Sequence, residues 1–115
     1  ILGDMLELGK HTERVHKEIG KDASQAAHKL IIVGMRARFI VEGALNDGMH
    51  EDNIFQFEDS RSAGKFAESL IEEGDVVLLK ASQGIRMERA TEELLQYPDM
   101  KDELLVRQNE EWRGR

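Results

Sequence analysis

GDMLELG, residues 3–9, follows two apolar residues at the start of the chain, Ile1 and Leu2. An apolar run that ends in a loop bounded by glycines is typical of the carboxyl end of a strand in a parallel α/β sheet. Such strands usually have about five residues. We therefore expect the chain to be part of a longer protein.

Three further apolar runs follow, and helical patterns separate them: LIIV (30–33), IFQF (54–57) and VVLL (76–79). Apolar residues at helical spacing predict a helix with Thr12 as its N-cap, two more over 36–47 and 60–73, and a fourth from about residue 85. In the first helix Gly20 counts as a flaw that costs about 1 kcal/mol. The alternation of strands and helices predicts a Rossmann-like three-layer α/β domain with a mainly parallel sheet.

The composition changes after Tyr97. Charged residues dominate 98–115, where Leu104, Leu105 and Trp112 are candidates for one short amphipathic helix. We expect residues 1–97 to form the domain, and 98–115 to form a charged C-terminal extension that packs back on it or docks elsewhere.

Composition excludes several classes of protein. The chain has 115 residues, 16 Lys and Arg against 23 Asp and Glu, a formal net charge of -7 and no cysteine. A nucleic-acid partner is not expected, because phosphate binding needs a basic surface. The lack of cysteine excludes disulfides and thiolate metal sites, and it fits a cytoplasmic location. Since no apolar run is long enough to cross a bilayer, membrane insertion is not predicted.

Common phosphate, metal and nucleophile motifs are absent from the sequence. Gly64 and Lys65 lie inside a predicted helix with no glycine five positions earlier, so they do not form a P-loop. The histidines lack the i, i+4 spacing of a metal pair, and they are expected to be solvated surface residues. They are His11, His16, His28 and His50. Ser82 has no triad motif around it, so a nucleophile is not predicted. A metal site is not predicted either, because of the spacing of the histidines.

The loops that follow the four predicted strands should meet at one edge of the sheet, where open α/β sheets bind their ligands. Charged and hydroxyl side chains are frequent in these loops. They are Asp4 and Glu7 in the first loop, Arg36 in the second, Glu58 and Asp59 in the third, and Lys80, Ser82 and Arg86 in the fourth.

Two places at this edge are candidate binding sites. Asp4 directly follows a strand and a glycine, where an acid commonly accepts hydrogen bonds from ribose hydroxyls, although it would equally well cap its own loop. KASQGIR, residues 80–86, leads from an apolar run to a helix start. The cation of Lys80, the hydroxyl of Ser82, a glycine and free N–H groups at a helix start suit an anion, although an ordinary strand-to-helix turn would look the same.

Three stretches together resemble the C-terminal domain of the Mur ligases: GDMLELG (3–9), HTERVHKEIG (11–20) and GDVVLLKASQGIRME (74–88). The resemblance extends to about Leu95. It implies ATP-dependent, Mg²⁺-assisted amide-bond formation in peptidoglycan precursor synthesis, in the branch of the family that joins D-alanyl-D-alanine to UDP-N-acetylmuramoyl-tripeptide. By position, Asp4 matches the acidic residue that contacts the ATP ribose. Lys80, Ser82 and Arg86 match the loop that faces the active-site cleft and the incoming dipeptide.

The chain also departs from the family pattern. The family loop usually reads Lys-Gly-Ser-Arg, whereas Ala81 replaces the glycine here and Gln83 the arginine, for which Arg86 is a candidate substitute. The resemblance also implies that the first strand and helix of the domain, and the ATPase domain with its P-loop, lie outside this chain. We therefore expect the sheet to lack its first strand and the chain alone to be inactive. Two alternatives stay open: a non-catalytic nucleotide- or anion-binding module, and a self-association domain that uses an unpaired sheet edge and the stretch from Leu104 to Trp112. The sequence leaves the oligomeric state open.

Overall fold

The computed structural model describes residues 1–105 and 108–114. Its centre is a parallel three-stranded sheet of β1 (Leu2–Gly3), β2 (Leu30–Val33) and β3 (Ile54–Phe57), in the order β1-β2-β3. Leu2 is paired with Ile32, and Leu30 with Ile54. The predicted parallel α/β sheet is confirmed, and β2 and β3 have the bounds of their apolar runs.

Helices connect and flank the strands: α1 (Thr12–Ala26), α2 (Arg38–Asn46), α3 (Ser60–Leu70), α4 (Glu88–Leu94), and the one-turn α5 (Lys101–Leu104) and α6 (Glu110–Arg113). The N-cap of α1 is His11, so the prediction of Thr12 is wrong by one residue. The Thr12 hydroxyl donates to the Gly9 carbonyl at 2.7 Å, within a 3₁₀ turn that precedes the helix.

The sheet is covered on both faces, which makes the domain three-layered. Alternate residues of β2 point to opposite faces, because successive side chains of a strand alternate. Leu30 and Ile32 pack against α1 and α2, whereas Ile31 and Val33 pack against α3 and α4. The phenyl rings of Phe55 and Phe57 lie on the face that α3 and α4 cover. Their ring centroids are 4.6 and 5.2 Å from that of Phe66.

Gly20 is a packing requirement rather than a flaw, which corrects the expectation from the sequence. A Cβ atom on Gly20 would lie 2.0 Å from the carbonyl oxygen of Ile40, and one on Gly43 would lie 2.1 Å from that of Lys17. The backbones of α1 and α2 therefore touch directly through the two glycines. The helix-propensity cost of glycine is offset by this close approach.

The run 76–79 does not form the predicted fourth strand. Its backbone lies beside β1, where the N–H of Lys80 donates to Ile1 and the N–H of Gly3 donates to Lys80, but a single isolated bridge joins Leu2 and Lys80. A strand needs a ladder of backbone hydrogen bonds with its neighbour, and apolar content alone does not supply one. Two side chains of the run point into solvent, Val76 at 97% and Leu78 at 69% exposure.

The predicted fourth helix begins later than expected. Gln83–Ile85 is a 3₁₀ turn, Arg86 has a left-handed φ of 56°, and α4 starts at Glu88. The left-handed residue ends the turn and redirects the chain before the helix can start.

The tail packs back on the domain instead of forming one amphipathic helix. The ammonium group of Lys101 in α5 donates to the Glu92 carboxylate of α4 at 2.9 Å. The ring of Trp112 in α6 lies 5.6 Å from the Arg86 guanidinium. Part of the stretch for which one helix was predicted, residues 106 and 107, lies outside the described residues.

Candidate functional site

The first and fourth loops form the two walls of a cleft of about 610 Å³ at the carboxyl edge of the sheet. Met5, Leu6 and Glu7 line one wall, and residues 80–84 line the other. The floor consists of Leu2, Gly3, Ile19 and Ile40. The expectation that these loops share one edge therefore matches the structure, although 76 residues separate Leu6 from Ser82.

Ser82 joins the two walls. Its hydroxyl oxygen accepts a hydrogen bond from the Leu6 N–H at 2.8 Å, and its own N–H donates to the Asp4 carbonyl at 3.0 Å. The hydroxyl proton stays available to a ligand, since the bond to Leu6 uses the oxygen as an acceptor. Ser82 thus both closes the cleft at its base and offers a donor to it.

Asp4 lies at the base of the same edge and is 4% exposed. One carboxylate oxygen accepts from the Ala37 N–H at 2.7 Å, and the other is 3.6 Å from the guanidinium of Arg36. The carboxyl group occupies the space beside Gly34, where a Cβ atom would lie 2.6 Å from Oδ1. Asp4 therefore holds the second loop and the start of α2 against the first loop, and its second oxygen faces the exposed Arg36.

Lys80 is the exposed cation of the cleft. Its backbone is fixed by the bonds to Ile1 and Gly3, while its side chain extends into solvent. The methyl group of the neighbouring Ala81 lies in the space that a side chain on residue 3 would fill. Gly3 leaves this space open, since a Cβ atom there would lie 2.8 Å from the Ala81 methyl group. Gln83 is exposed on the same wall. Both departures from the family loop are thus accommodated without closing the cleft.

Arg86 does not lie with Lys80 and Ser82 in the cleft. It is buried, and its guanidinium donates to the Glu88 carboxylate and to the backbone carbonyl of Trp112. Its own carbonyl accepts from the Ser60 hydroxyl at 2.9 Å. The side chain therefore joins the fourth loop to α3, α4 and the tail.

The third loop contributes a helix cap. The Asp59 carboxylate accepts from the Ser62 N–H at 2.8 Å, at the N-terminus of α3. This bond to the Ser62 backbone, followed by that to its hydroxyl, holds the pKa of Asp59 below its ordinary value. Glu58 is exposed beside it, outside the cleft lining.

His16 is the site residue that sequence reasoning missed. His11, His28 and His50 are exposed as predicted, but His16 is 0% exposed, so the prediction of a solvated residue is wrong for it. Its ring contacts the backbone of Met5 in the first loop. Its spacing from Ile19 and Ala23, three and seven residues, places it on the buried stripe of α1 and would have indicated its burial.

The described residues contain no group of three or more His, Asp or Glu side chains arranged to hold a metal ion. Within that same part of the chain, every helix is too short or too polar to span a membrane.

Comparisons with known proteins show which family this chain is similar to. Residues 1–83 match the family described as Mur ligase, glutamate ligase domain. The chain is 32% identical over 99 residues to the UDP-N-acetylmuramoyl-tripeptide--D-alanyl-D-alanine ligase of Bacillus subtilis (strain 168), an alignment that covers 85% of this chain and 21% of that ligase. No solved structure gives a significant match. The matched residues include the first loop and most of the cleft wall formed by residues 80–84. The chain therefore belongs to the C-terminal domain family of the Mur ligases.

Proposed function

We propose that this chain is the C-terminal part of an ATP-dependent ligase that adds D-alanyl-D-alanine to UDP-N-acetylmuramoyl-tripeptide in the cytoplasm, and that it is inactive alone. The name of the Bacillus subtilis relative supports the reaction, and this chain corresponds to about a fifth of the length of that ligase. The observation that carries the proposal is the cleft in which Ser82 joins the two loops that bear the family motifs.

The chemistry of amide synthesis explains why such a cleft is useful. A carboxylate is a poor electrophile until phosphorylation by ATP turns one of its oxygens into a leaving group, which the dipeptide amine then displaces. Negative charge develops in both steps, and fixed cations and N–H groups stabilise it. Lys80 supplies an exposed ammonium group and Ser82 a hydroxyl donor at the open cleft. The part that we assign to this chain in the reaction is binding and orientation.

The roles of Asp4 and Arg86 follow from their surroundings. Asp4 would meet the ATP ribose with the oxygen that faces Arg36, while its other oxygen stays on the Ala37 N–H. The guanidinium of Arg86 is already bound to Glu88 and Trp112. We therefore propose that Lys80 and Ser82 bind the anionic substrate, and that Arg86 stabilises the conformation of the fourth loop.

Replacement of Lys80 in the full-length ligase tests this proposal. Lys80→Ala should raise the KM for an anionic substrate about tenfold, as expected for the loss of one charge-assisted contact. Lys80→Arg should restore part of the affinity. Lys65→Ala removes an equally exposed lysine from α3 and is the matched control. Formation of the D-alanyl-D-alanine amide and release of phosphate from ATP are the measurements.

Two results would contradict the proposal. A full-length protein that binds ATP but releases no phosphate with both substrates present would be a non-catalytic nucleotide-binding module, the role suggested by Ala81 and Gln83. Equal kinetics for Lys80→Ala and Lys65→Ala would remove Lys80 from the substrate site.

Self-association is a second candidate function, favoured by the two apolar side chains exposed beside β1, Val76 and Leu78. An open sheet edge with apolar side chains is a template for pairing with another chain. Light scattering of this chain over a range of concentrations tests this function. A monomer at every concentration would count against it.

A further inference from the structure

We propose that His16 is a positioning residue that sets the conformation of the first loop and thereby the shape of the ligand cleft. The proposal rests on the proposed function for its kinetic consequence, while its structural part concerns contacts within this chain.

The ring of His16 is bonded on both sides. Its Nε2 accepts from the Met5 N–H at 3.0 Å, and its Nδ1 is 2.6 Å from the Thr12 carbonyl oxygen. A backbone N–H can only donate and a carbonyl can only accept, so Nδ1 carries the proton and Nε2 carries none. These two bonds define a neutral imidazole with one tautomer, inside a site with no exposure to solvent.

The bond to Met5 lies between two bonds that Ser82 makes to neighbouring residues of the first loop. The carbonyl of Asp4 and the N–H of Leu6 are both bonded to Ser82, and the N–H of Met5 between them is bonded to His16. Ser82 therefore holds the loop from the fourth loop, and His16 holds it from α1. Without His16, the Met5 N–H would lose its hydrogen-bond acceptor on α1.

The next residue shows why this loop needs anchoring. Glu7 has a φ of 64°, a left-handed conformation that a non-glycine residue adopts at a cost. Met5, Leu6 and Glu7 all line the cleft. A loop that bends in an unfavourable conformation needs fixed points before the bend, and His16 supplies one of them.

Two substitutions separate this role from simple packing in the core. In His16→Gln, the side-chain oxygen reaches the position of Nε2 and can accept from Met5, but the donor to Thr12 is lost. In His16→Asn, the amide nitrogen replaces Nδ1 and can donate to Thr12, but nothing reaches Met5. Each variant keeps one of the two bonds, so both should lose similar stability, and only His16→Asn should release the loop.

Amide hydrogen exchange of this chain, followed by NMR, measures the structural part. We expect the Met5 amide to exchange about tenfold faster in His16→Asn than in wild type, and to remain protected in His16→Gln. In the wild type, ¹⁵N spectra should show one protonated and one bare ring nitrogen for His16. Equal protection of Met5 in both variants, or two protonated ring nitrogens, would overturn the proposal.

Steady-state kinetics of the full-length ligase measure the consequence. His16→Asn should raise the KM of a substrate bound in the cleft about tenfold with little change in kcat, whereas His16→Gln should stay near wild type. Equal losses in both variants would reduce His16 to a core residue. If the wild-type protein formed no amide, the proposed function would fail, while the exchange measurement would still decide whether His16 anchors the loop.

Discussion

The hydroxyl oxygen of Ser82 accepts a hydrogen bond from the N–H of Leu6 at 2.8 Å, and so connects two motifs that lie 76 residues apart in the sequence. The bond is partly buried, and it lies at the base of the cleft between the first and fourth loops. The cleft therefore depends on a contact between two loops rather than on either loop alone.

Ser82→Ala should lower the free energy of unfolding by about 1 kcal/mol, because the Leu6 N–H loses its acceptor in a partly buried place. Urea denaturation of this chain is the measurement. Ser69→Ala is the matched control, since the Ser69 hydroxyl is exposed and donates to a carbonyl of its own helix. Equal losses in the two variants would show that the loops are held together without the Ser82 hydroxyl.

Gly43→Ala should destabilise the domain by about 1–3 kcal/mol, because the new methyl group would overlap the carbonyl of Lys17 and push α1 from α2. Helix propensity alone predicts the opposite sign, since alanine is favoured over glycine by about 1 kcal/mol. Thermal and urea unfolding distinguish the two. Gly114→Ala is the control, because a Cβ atom there has no neighbour within 4 Å. A stabilised Gly43→Ala variant would refute the close contact of the helices.

Asp4→Ala should lower the free energy of unfolding by about 2 kcal/mol, because removal of the buried carboxylate leaves the Ala37 N–H without its acceptor. Asp4→Asn keeps that acceptor and should cost less. Unfolding of this chain by urea measures both.

The ribose contact of Asp4 needs a test that its structural role does not affect. In the full-length ligase, the wild type should use 2′-deoxy-ATP or 3′-deoxy-ATP with a KM about tenfold above that for ATP. One of these deoxy nucleotides should show the higher KM in the wild type. In Asp4→Ala its KM should equal that of ATP, because the carboxylate that bound the missing hydroxyl is gone. If the penalty persisted in Asp4→Ala, another residue would hold the ribose.

Asp59→Ala should lower stability at pH 7 by about 1 kcal/mol through loss of the N-cap of α3. The bonds to Ser62 lower the pKa of Asp59 in the folded state. The part of its contribution that depends on charge is therefore complete above the unfolded pKa and disappears as the pH falls through the folded pKa, so the difference between wild type and Asp59→Ala should shrink below about pH 4. Urea denaturation at pH 7 and pH 3 measures the difference. Asp59→Asn keeps an uncharged cap, and a pH dependence equal to that of the wild type in this variant would exclude the carboxylate as the cause.

Much of the fold was predictable because its signals are local. Apolar runs of four residues define β2 and β3, and the apolar stripes of α1 to α3 follow helical spacing over several turns. The run 76–79 was equally apolar, yet it forms no strand, and a single bridge follows it at Lys80, because pairing depends on backbone partners that the apolar content of one run does not specify. The start of α4 was also displaced, since the left-handed backbone of Arg86 interrupts the expected helix.

The candidate site was predictable in its loops but not in its side chains. The sequence placed Lys80 and Ser82 opposite the first loop, and the cleft has this arrangement. It did not reveal that Arg86 turns to Glu88 and Trp112, because those partners lie on different elements. His16 was misassigned because histidine was judged by its usual exposure rather than by its phase on α1.

By itself, the sequence determined the alternation of strands and helices, the positions of the loops and the family, all of which follow from periodicity and from short motifs. Only the tertiary structure decided what each side chain at the cleft contacts. It placed Asp4 on the Ala37 N–H, His16 on the Met5 N–H and Gly20 against α2. The physical reason is that buried polar groups find their hydrogen-bond partners on other elements of the fold. The partners in these two hydrogen bonds lie 33 residues apart for Asp4 and 11 residues apart for His16.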